Sequence, residues 1–224
     1  MDFRVLHHSA DPATLQNMAD EMDRAMTQTQ PDLGRQQTSA TLSRYRIHTQ
    51  SLLYPTAHSW AHSVLNTLPA ATMSFMAYVR QTRPTGVHID HSLNMGPGHT
   101  VILPLRHCAD VDSTIVFAVD GRGSDSTQSW QERSVELSRE WMPQPLVQDD
   151  SVPHQDLAHC APWVRHLPIL GRFHYRLGDA VLFHGHLLHC SNCWSSNTQR
   201  SHRDYLLIHT KTADSLNYSA EVYS

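Results

Sequence analysis

The chain has 224 residues, 40% hydrophobic and 17% charged, a composition that supports a buried core and excludes a disordered chain. Its formal net charge is -4, with no basic tail or Lys/Arg run, which argues against a nucleic-acid binder because phosphate neutralisation needs a positive face. No stretch approaches the roughly 20 apolar residues of a membrane-spanning helix, and the opening MDFRVLHHSADPAT lacks a basic segment followed by an apolar run. The expected setting is therefore cytoplasmic, and the low positive charge favours a small-molecule partner over nucleic acid or membrane.

In chain order, residues 10–27 read as a helix, with Asp11 or Ser9 near its start and Leu15, Met18, Met22 and Met26 recurring three or four apart. Residues 28–42 are polar and read as a loop. A second helix is expected over about 57–68, ending before Pro69. Beyond it the pattern changes. ATMSFMAYVR, HTVILPLR, STIVFAVD, DAVLFHG and DYLLIHT are short apolar or alternating runs separated by Gly, Pro, Asp or Asn. They are the signature of an antiparallel sandwich or barrel, not of repeated strand–helix units. An amphipathic helix is expected near 127–141, followed by a proline-rich irregular insertion over 142–170. The simplest organisation is a single domain, 1–224, mainly β with flanking helices. Its N-terminal helical layer (about 10–68) would cover a double-stranded β-helix core (about 70–210), a jelly roll of cupin-like form.

The four cysteines, Cys108, Cys160, Cys190 and Cys193, read as free thiols of a reducing compartment. Cys190 and Cys193 form a CxxC unit, but no second one follows at zinc-finger spacing. Among the 17 basic residues only Lys211 is lysine, so an internal carboxylate clamp is expected to be arginine, whose planar fork engages both oxygens.

Eighteen histidines are unusual, and a few sit where chemistry is possible. In His88–Ile89–Asp90, residues two apart on an extended segment face the same way, so an imidazole and a carboxylate can converge on one ion while Ile89 enters the packing. The turn-rich SLNMGPGH that follows puts the pair near an open end of a β core. In YRLGDAVLFHGHLLHCSN, residues 175–192, a Gly178–Asp179 turn precedes a buried strand, after which His184, His186 and His189 compete for a third ligand position. Two histidines and one carboxylate leave three positions of an octahedral ferrous ion open, as oxygen chemistry requires.

Here the sequence resembles the phytanoyl-CoA dioxygenase-like branch of the iron(II)/2-oxoglutarate-dependent oxygenases. In that family a His-x-Asp pair joins a distal histidine in a G-D-x-x-x-F-x-G-x-x-x-H pattern, which Gly178, Asp179, Phe183, Gly185 and His189 match. The resemblance selects His189 and implies that His88, Asp90 and His189 bind Fe(II). It implies an arginine for the distal carboxylate of 2-oxoglutarate: Arg203 before DYLLIHT, with Arg200 as the alternative and Asn197 in the intervening loop. The implied reaction consumes dioxygen and 2-oxoglutarate, releases succinate and carbon dioxide, and hydroxylates or otherwise oxidises a small organic substrate, as in specialised metabolism. An intact Asp90 argues against halogenation, whose enzymes lack that carboxylate. Tyr78, Arg80, His91, Asn94 and Trp194 are candidate pocket residues. The alternatives are a cupin-like iron dioxygenase that does not use 2-oxoglutarate, or a non-catalytic ligand-binding protein on the same fold.

Overall fold

A computed structural model describes residues 3–27, 34–38, 42–48, 51–68, 70–91, 96–106, 113–123, 129–147, 149, 152–194 and 202–212. Its strands are β1 (Phe3–Leu6), β2 (Gly34–Thr38), β3 (Leu42–Ile47), β4 (Ala71–Gln81), β5 (His99–Arg106), β6 (Ser113–Asp120), β7 (Ile169–His174), β8 (Ala180–His184), β9 (Leu187–Ser191) and β10 (Arg203–Thr212). The helices are α1 (Pro12–Thr27), α2 (Pro55–Leu65) and α3 (Trp130–Trp141). A seven-stranded sheet runs β1-β8-β5-β10-β4-β3-β2 and faces a three-stranded sheet β7-β6-β9. All named pairings are antiparallel. Two facing antiparallel sheets with strands crossing between them form the jelly roll expected from the sequence.

Strand alternation divides the larger sheet into two faces. Tyr45, Met76, Tyr78, Val101, Leu103, Leu206 and Ile208 point outward, where α1 and α2 cover them. The outward face of α1 supplies nothing to this core, whereas Leu15, Met18 and Met22 are buried in it at helical spacing. The buried Glu21 of α1 accepts from the Thr56 and Ala57 amides at 2.9 and 3.2 Å, and from the Tyr78 hydroxyl at 2.6 Å. One side chain thereby caps the N-terminus of α2 and locks both helices to β4.

On the inner face, Ala77, Val79, Ile102, Val181, Phe183 and Leu207 meet Val116, Phe173 and Leu187 of the smaller sheet. The outer face of that sheet (Ile115, Phe117, Leu188) packs under α3 and the insertion, whose two 3-10 turns, His154–Leu157 and Pro162–His166, bury Leu157, Trp163 and Val164. A capping box between Ser129 and Glu132 fixes the start of α3.

The polar stretch expected as a loop is partly strand: β2 lies within it and pairs with β3. A polar edge strand can pair through its backbone, so no hydrophobic period announces it. The short β1 also pairs with β8, and the chain after it is clasped to Asp179. That carboxylate accepts from the His8 amide at 2.9 Å and lies 2.9 Å from His7 Nδ1. Gly178 before it has φ +87°, a conformation that favours glycine.

Candidate metal centre

His88 and His189 sit opposite each other in a reciprocal backbone pair, each donating its N–H to the other's carbonyl at 3.0 Å. This adds the segment carrying His88 and Asp90 to the edge of β9, and neighbouring side chains of such a pair share a face. The two ring centroids are 4.2 Å apart. His88 Nδ1 lies 2.8 Å from the Gly86 carbonyl, and His189 Nδ1 lies 3.0 Å from the Leu187 carbonyl. A carbonyl oxygen only accepts, so each Nδ1 donates and each neutral ring presents the lone pair of Nε2.

Asp90 completes the set. Its Oδ1 is 3.8 Å from His88 Nε2 and its Oδ2 is 3.3 Å from His189 Nε2. All three ligand atoms lie within 4.8 Å of one another. Metal–ligand bonds of about 2.1 Å at right angles give ligand–ligand edges of about 3 Å, so small adjustments bring the set onto one divalent ion. Thr100 Oγ1 donates to Asp90 Oδ2 at 2.8 Å, and His209 Nε2 stands 3.7 Å from the same oxygen. Such outer contacts orient a ligating carboxylate.

The electrostatics suit a cation. Burial, reinforced by His189, pushes His88 down to about 4, so the ring is neutral near pH 7. Burial alone would raise Asp90, but the imidazoles of His189, His209 and His88 hold it well below the usual carboxylate range. For His189, the pull of Asp90 outweighs burial and raises the pKa. A metal ligand must be deprotonated, so an ion entering here competes with a proton for His189 Nε2.

Of the three competing histidines, only His189 joins the ion-sized cluster, which is the single such group among the described residues. His184 ends β8, with its ring centroid 5.0 Å from that of His186 and 5.9 Å from that of His99. His186 is buried in the following turn, 5.6 Å from His91 between centroids. The chain path to His189 makes this choice physical: β8 ends at the Gly185 turn, and β9 begins a new alternation in which His189 faces the inter-sheet space.

The same cavity is lined by Arg203, Tyr175, Thr114 and Tyr205. Arg203 is buried, and its Nη2 donates to the Ser113 carbonyl at 2.9 Å and to Asn192 Oδ1 at 3.0 Å. Its guanidinium lies 4.5 Å from the ring centre of Tyr175 and 4.6 Å from that of Trp194. The aromatic contacts fix the plane of the fork as well as its position.

Other expected pocket residues lie elsewhere. Tyr78 faces the helical layer, bonded to Glu21, and does not line the cavity. Arg80 faces the same way, engaging both oxygens of Asp204 at 2.8 and 2.7 Å. The period of β4 explains both departures: even-numbered residues point outward, and Gln81 is the one at this end that reaches the cavity. His91 is fully buried behind Asp90, against Gly185 and 5.2 Å from His209 between centroids. Trp194 reaches the site through Arg203. Asn94, Asn197 and Arg200 fall outside the described residues. Cys190 approaches Cys160 of the insertion, and the CxxC partner Cys193 is a separate free thiol.

Sequence reasoning missed Arg44, Thr100, Tyr175 and His209. The alternation Arg203, Tyr205, Leu207, His209 along β10 carried the signal for His209. Arg44 had none, because its strand follows the segment read as loop.

No family model matches the chain, and no curated protein matches it. Solved structures do match. SnoN, a non-heme alpha ketoglutarate dependent epimerase from nogalamycin biosynthesis, aligns with TM-score 0.56 at 13% identity over 94% of this chain and 78% of its own. HygX from Streptomyces hygroscopicus, solved with nickel and 2-oxoglutarate, gives 0.58 at 12% identity over 94% of this chain and 83% of its own. AviO1 from Streptomyces viridochromogenes Tue57 gives 0.58 at 14% identity over 95% and 90%. At such identities what is shared is the fold. Among the described residues, no helix is long and apolar enough to cross a membrane.

Proposed function

We propose that this chain is an iron(II)/2-oxoglutarate-dependent dioxygenase of a single domain, acting in the cytoplasm on a small organic molecule. The observation that carries this reading is one cavity lined by both a His–Asp–His set and a buried, oriented guanidinium. The similarity in fold to SnoN and HygX supports it, as do the residues that resemble the phytanoyl-CoA dioxygenase-like branch.

His88, Asp90 and His189 would hold Fe(II), which supplies the redox chemistry that couples dioxygen and 2-oxoglutarate to oxidation of the substrate. Arg203 pairs with the distal carboxylate of 2-oxoglutarate, and its stacking on Tyr175 and Trp194 sets the plane in which that carboxylate is met. Thr100 keeps Asp90 turned toward the two Nε2 atoms. Hydroxylation is the default outcome with three protein ligands in place, and specialised metabolism is the setting this reading favours.

The test is release of succinate and carbon dioxide from 2-oxoglutarate with Fe(II) and dioxygen across a chemically broad substrate panel. Succinate formed in step with an oxidised substrate supports the reading. Oxygen consumption without succinate would instead indicate an iron dioxygenase independent of 2-oxoglutarate. Metal or ligand binding without any oxidation would indicate a binding protein.

A further inference from the structure

The cavity holds a second cation that the reaction has not used. Arg44 lies on β3, where alternation turns Leu42 and Arg44 inward while Tyr45 and Ile47 join the helix-covered core. Its guanidinium sits 5.6 Å from the centre of Phe75, and that of the exposed Arg46 sits 5.4 Å from the same ring. Arg44 Nε is buried without a hydrogen-bond partner, and among the described residues no carboxylate pairs with this side chain. The apolar part of the cavity lining comes from Leu42, Ile102 and Leu207.

We propose that Arg44 is the substrate-recognition residue, and that the substrate is a small acid with an apolar body and one anionic group, a carboxylate or phosphate ester. This rests on the oxygenase reading. The charge balance of the cavity motivates it. Arg44 and Arg203 with a divalent ion bring four positive charges, while Asp90 and the 2-oxoglutarate dianion bring three negative ones. One positive charge remains on the side where Arg44 stands. A buried guanidinium donor without a partner gains most from an anion that can occupy the fork. Leu42 and Leu207, in the lining of the same cavity, favour an apolar substituent on that anion over a highly hydroxylated one.

The experiment uses the full chain loaded anaerobically with Fe(II) and 2-oxoglutarate. The probes are aryl and alkyl carboxylates, the corresponding phosphate esters, and the corresponding neutral amides, with affinity measured by calorimetry. At least one anion is expected to bind about tenfold or more tightly than its matched amide. Carboxylates and phosphate esters, read separately, identify the anionic group. Arg44→Gln should abolish the preference while keeping iron and 2-oxoglutarate affinities and the melting temperature, and Arg44→Lys should restore part of it. Failure of every anion to outbind its amide overturns the proposal, as does a preference that survives Arg44→Gln. Loss of 2-oxoglutarate affinity in Arg44→Gln also overturns it, because Arg44 would then be the cosubstrate anchor. Failure of the wild-type chain to bind 2-oxoglutarate refutes the oxygenase reading itself, whatever the probes do.

Discussion

Gly185 offers a sharp test of how the centre is held. Its carbonyl accepts from both the Asp90 amide at 3.2 Å and the His91 amide at 3.1 Å, so the turn between β8 and β9 is the backbone anchor of a candidate ligand. A Cβ at this position would lie 2.3, 2.5 and 2.6 Å from His91 ring atoms. Ordinary carbon contacts begin near 3.5 Å, so Gly185→Ala must displace the imidazole by roughly an ångström. That ring is fully buried, with His186 and His209 beside it. Overpacking of this kind costs about 1–3 kcal/mol. The displaced His91 is bonded in sequence to Asp90, so the carboxylate should shift from the two Nε2 atoms, with a loss of about 10–100-fold in Fe(II) affinity. The assay is competitive metal titration beside thermal unfolding, repeated in His91→Ala and in the double variant. The double variant should recover most of the affinity lost by Gly185→Ala, because removing the ring removes the clash. A Gly185→Ala protein with wild-type melting and wild-type metal affinity would refute the reasoning.

Three further outcomes are expected. Arg203→Lys should weaken 2-oxoglutarate by about 1.5–3 kcal/mol with little change in iron affinity, and Arg203→Ala should weaken it more, as measured by anaerobic titration. Unchanged 2-oxoglutarate affinity in both would remove Arg203 from the role, and the same loss in Arg200→Ala would transfer it there. Glu21→Ala strips an acceptor from two helix amides and the Tyr78 hydroxyl, and should cost about 1–3 kcal/mol in denaturant unfolding while metal affinity stays unchanged. The Cys160 thiol is pulled down, first by its contact with Cys190 and, against the effect of burial, by His159, which favours the thiolate in the neutral range. Its alkylation by iodoacetamide, followed by peptide mass spectrometry, should therefore be nearly flat from about pH 6 to 8, where an ordinary thiol quickens about tenfold per unit. A tenfold rise at Cys160 would contradict the assignment.

The chain announced its elements where side-chain pattern and backbone need coincide. HTVILPLR and STIVFAVD coincide with β5 and β6, because buried strands demand runs of apolar residues. The helix over 10–27 was legible from Leu15, Met18 and Met22. The short β1, β7 and β9 were not, since few residues each and partners distant in sequence leave little local signal. At the centre, the spacing of His88 and Asp90 was visible in HID, but the choice among His184, His186 and His189 needed the strand break at Gly185. Proximity to the motifs misled for Tyr78 and Arg80, because closeness along β4 does not say which face a side chain takes. Arg44 lay beyond any motif, since only the pairing of β3 with β4 brings it to the cavity.

The reciprocal pairing of His88 with His189 has a consequence for the life of the protein in a cell. Among the described residues, five amide–carbonyl bonds, this pair included, join residues 85–91 to residues 185–191 across an interval of about a hundred residues, and a loop that long is entropically costly to close. An ion bridging the imidazoles and Asp90 would act as a removable cross-link on that loop, favouring the folded chain over the unfolded one. Folded protein then gains stability with the logarithm of free metal once its concentration exceeds the dissociation constant, about 1.4 kcal/mol for each tenfold increase. Scarcity of the ion would empty the site and also expose the chain to proteolysis, so metal supply would govern the abundance of the protein together with its activity.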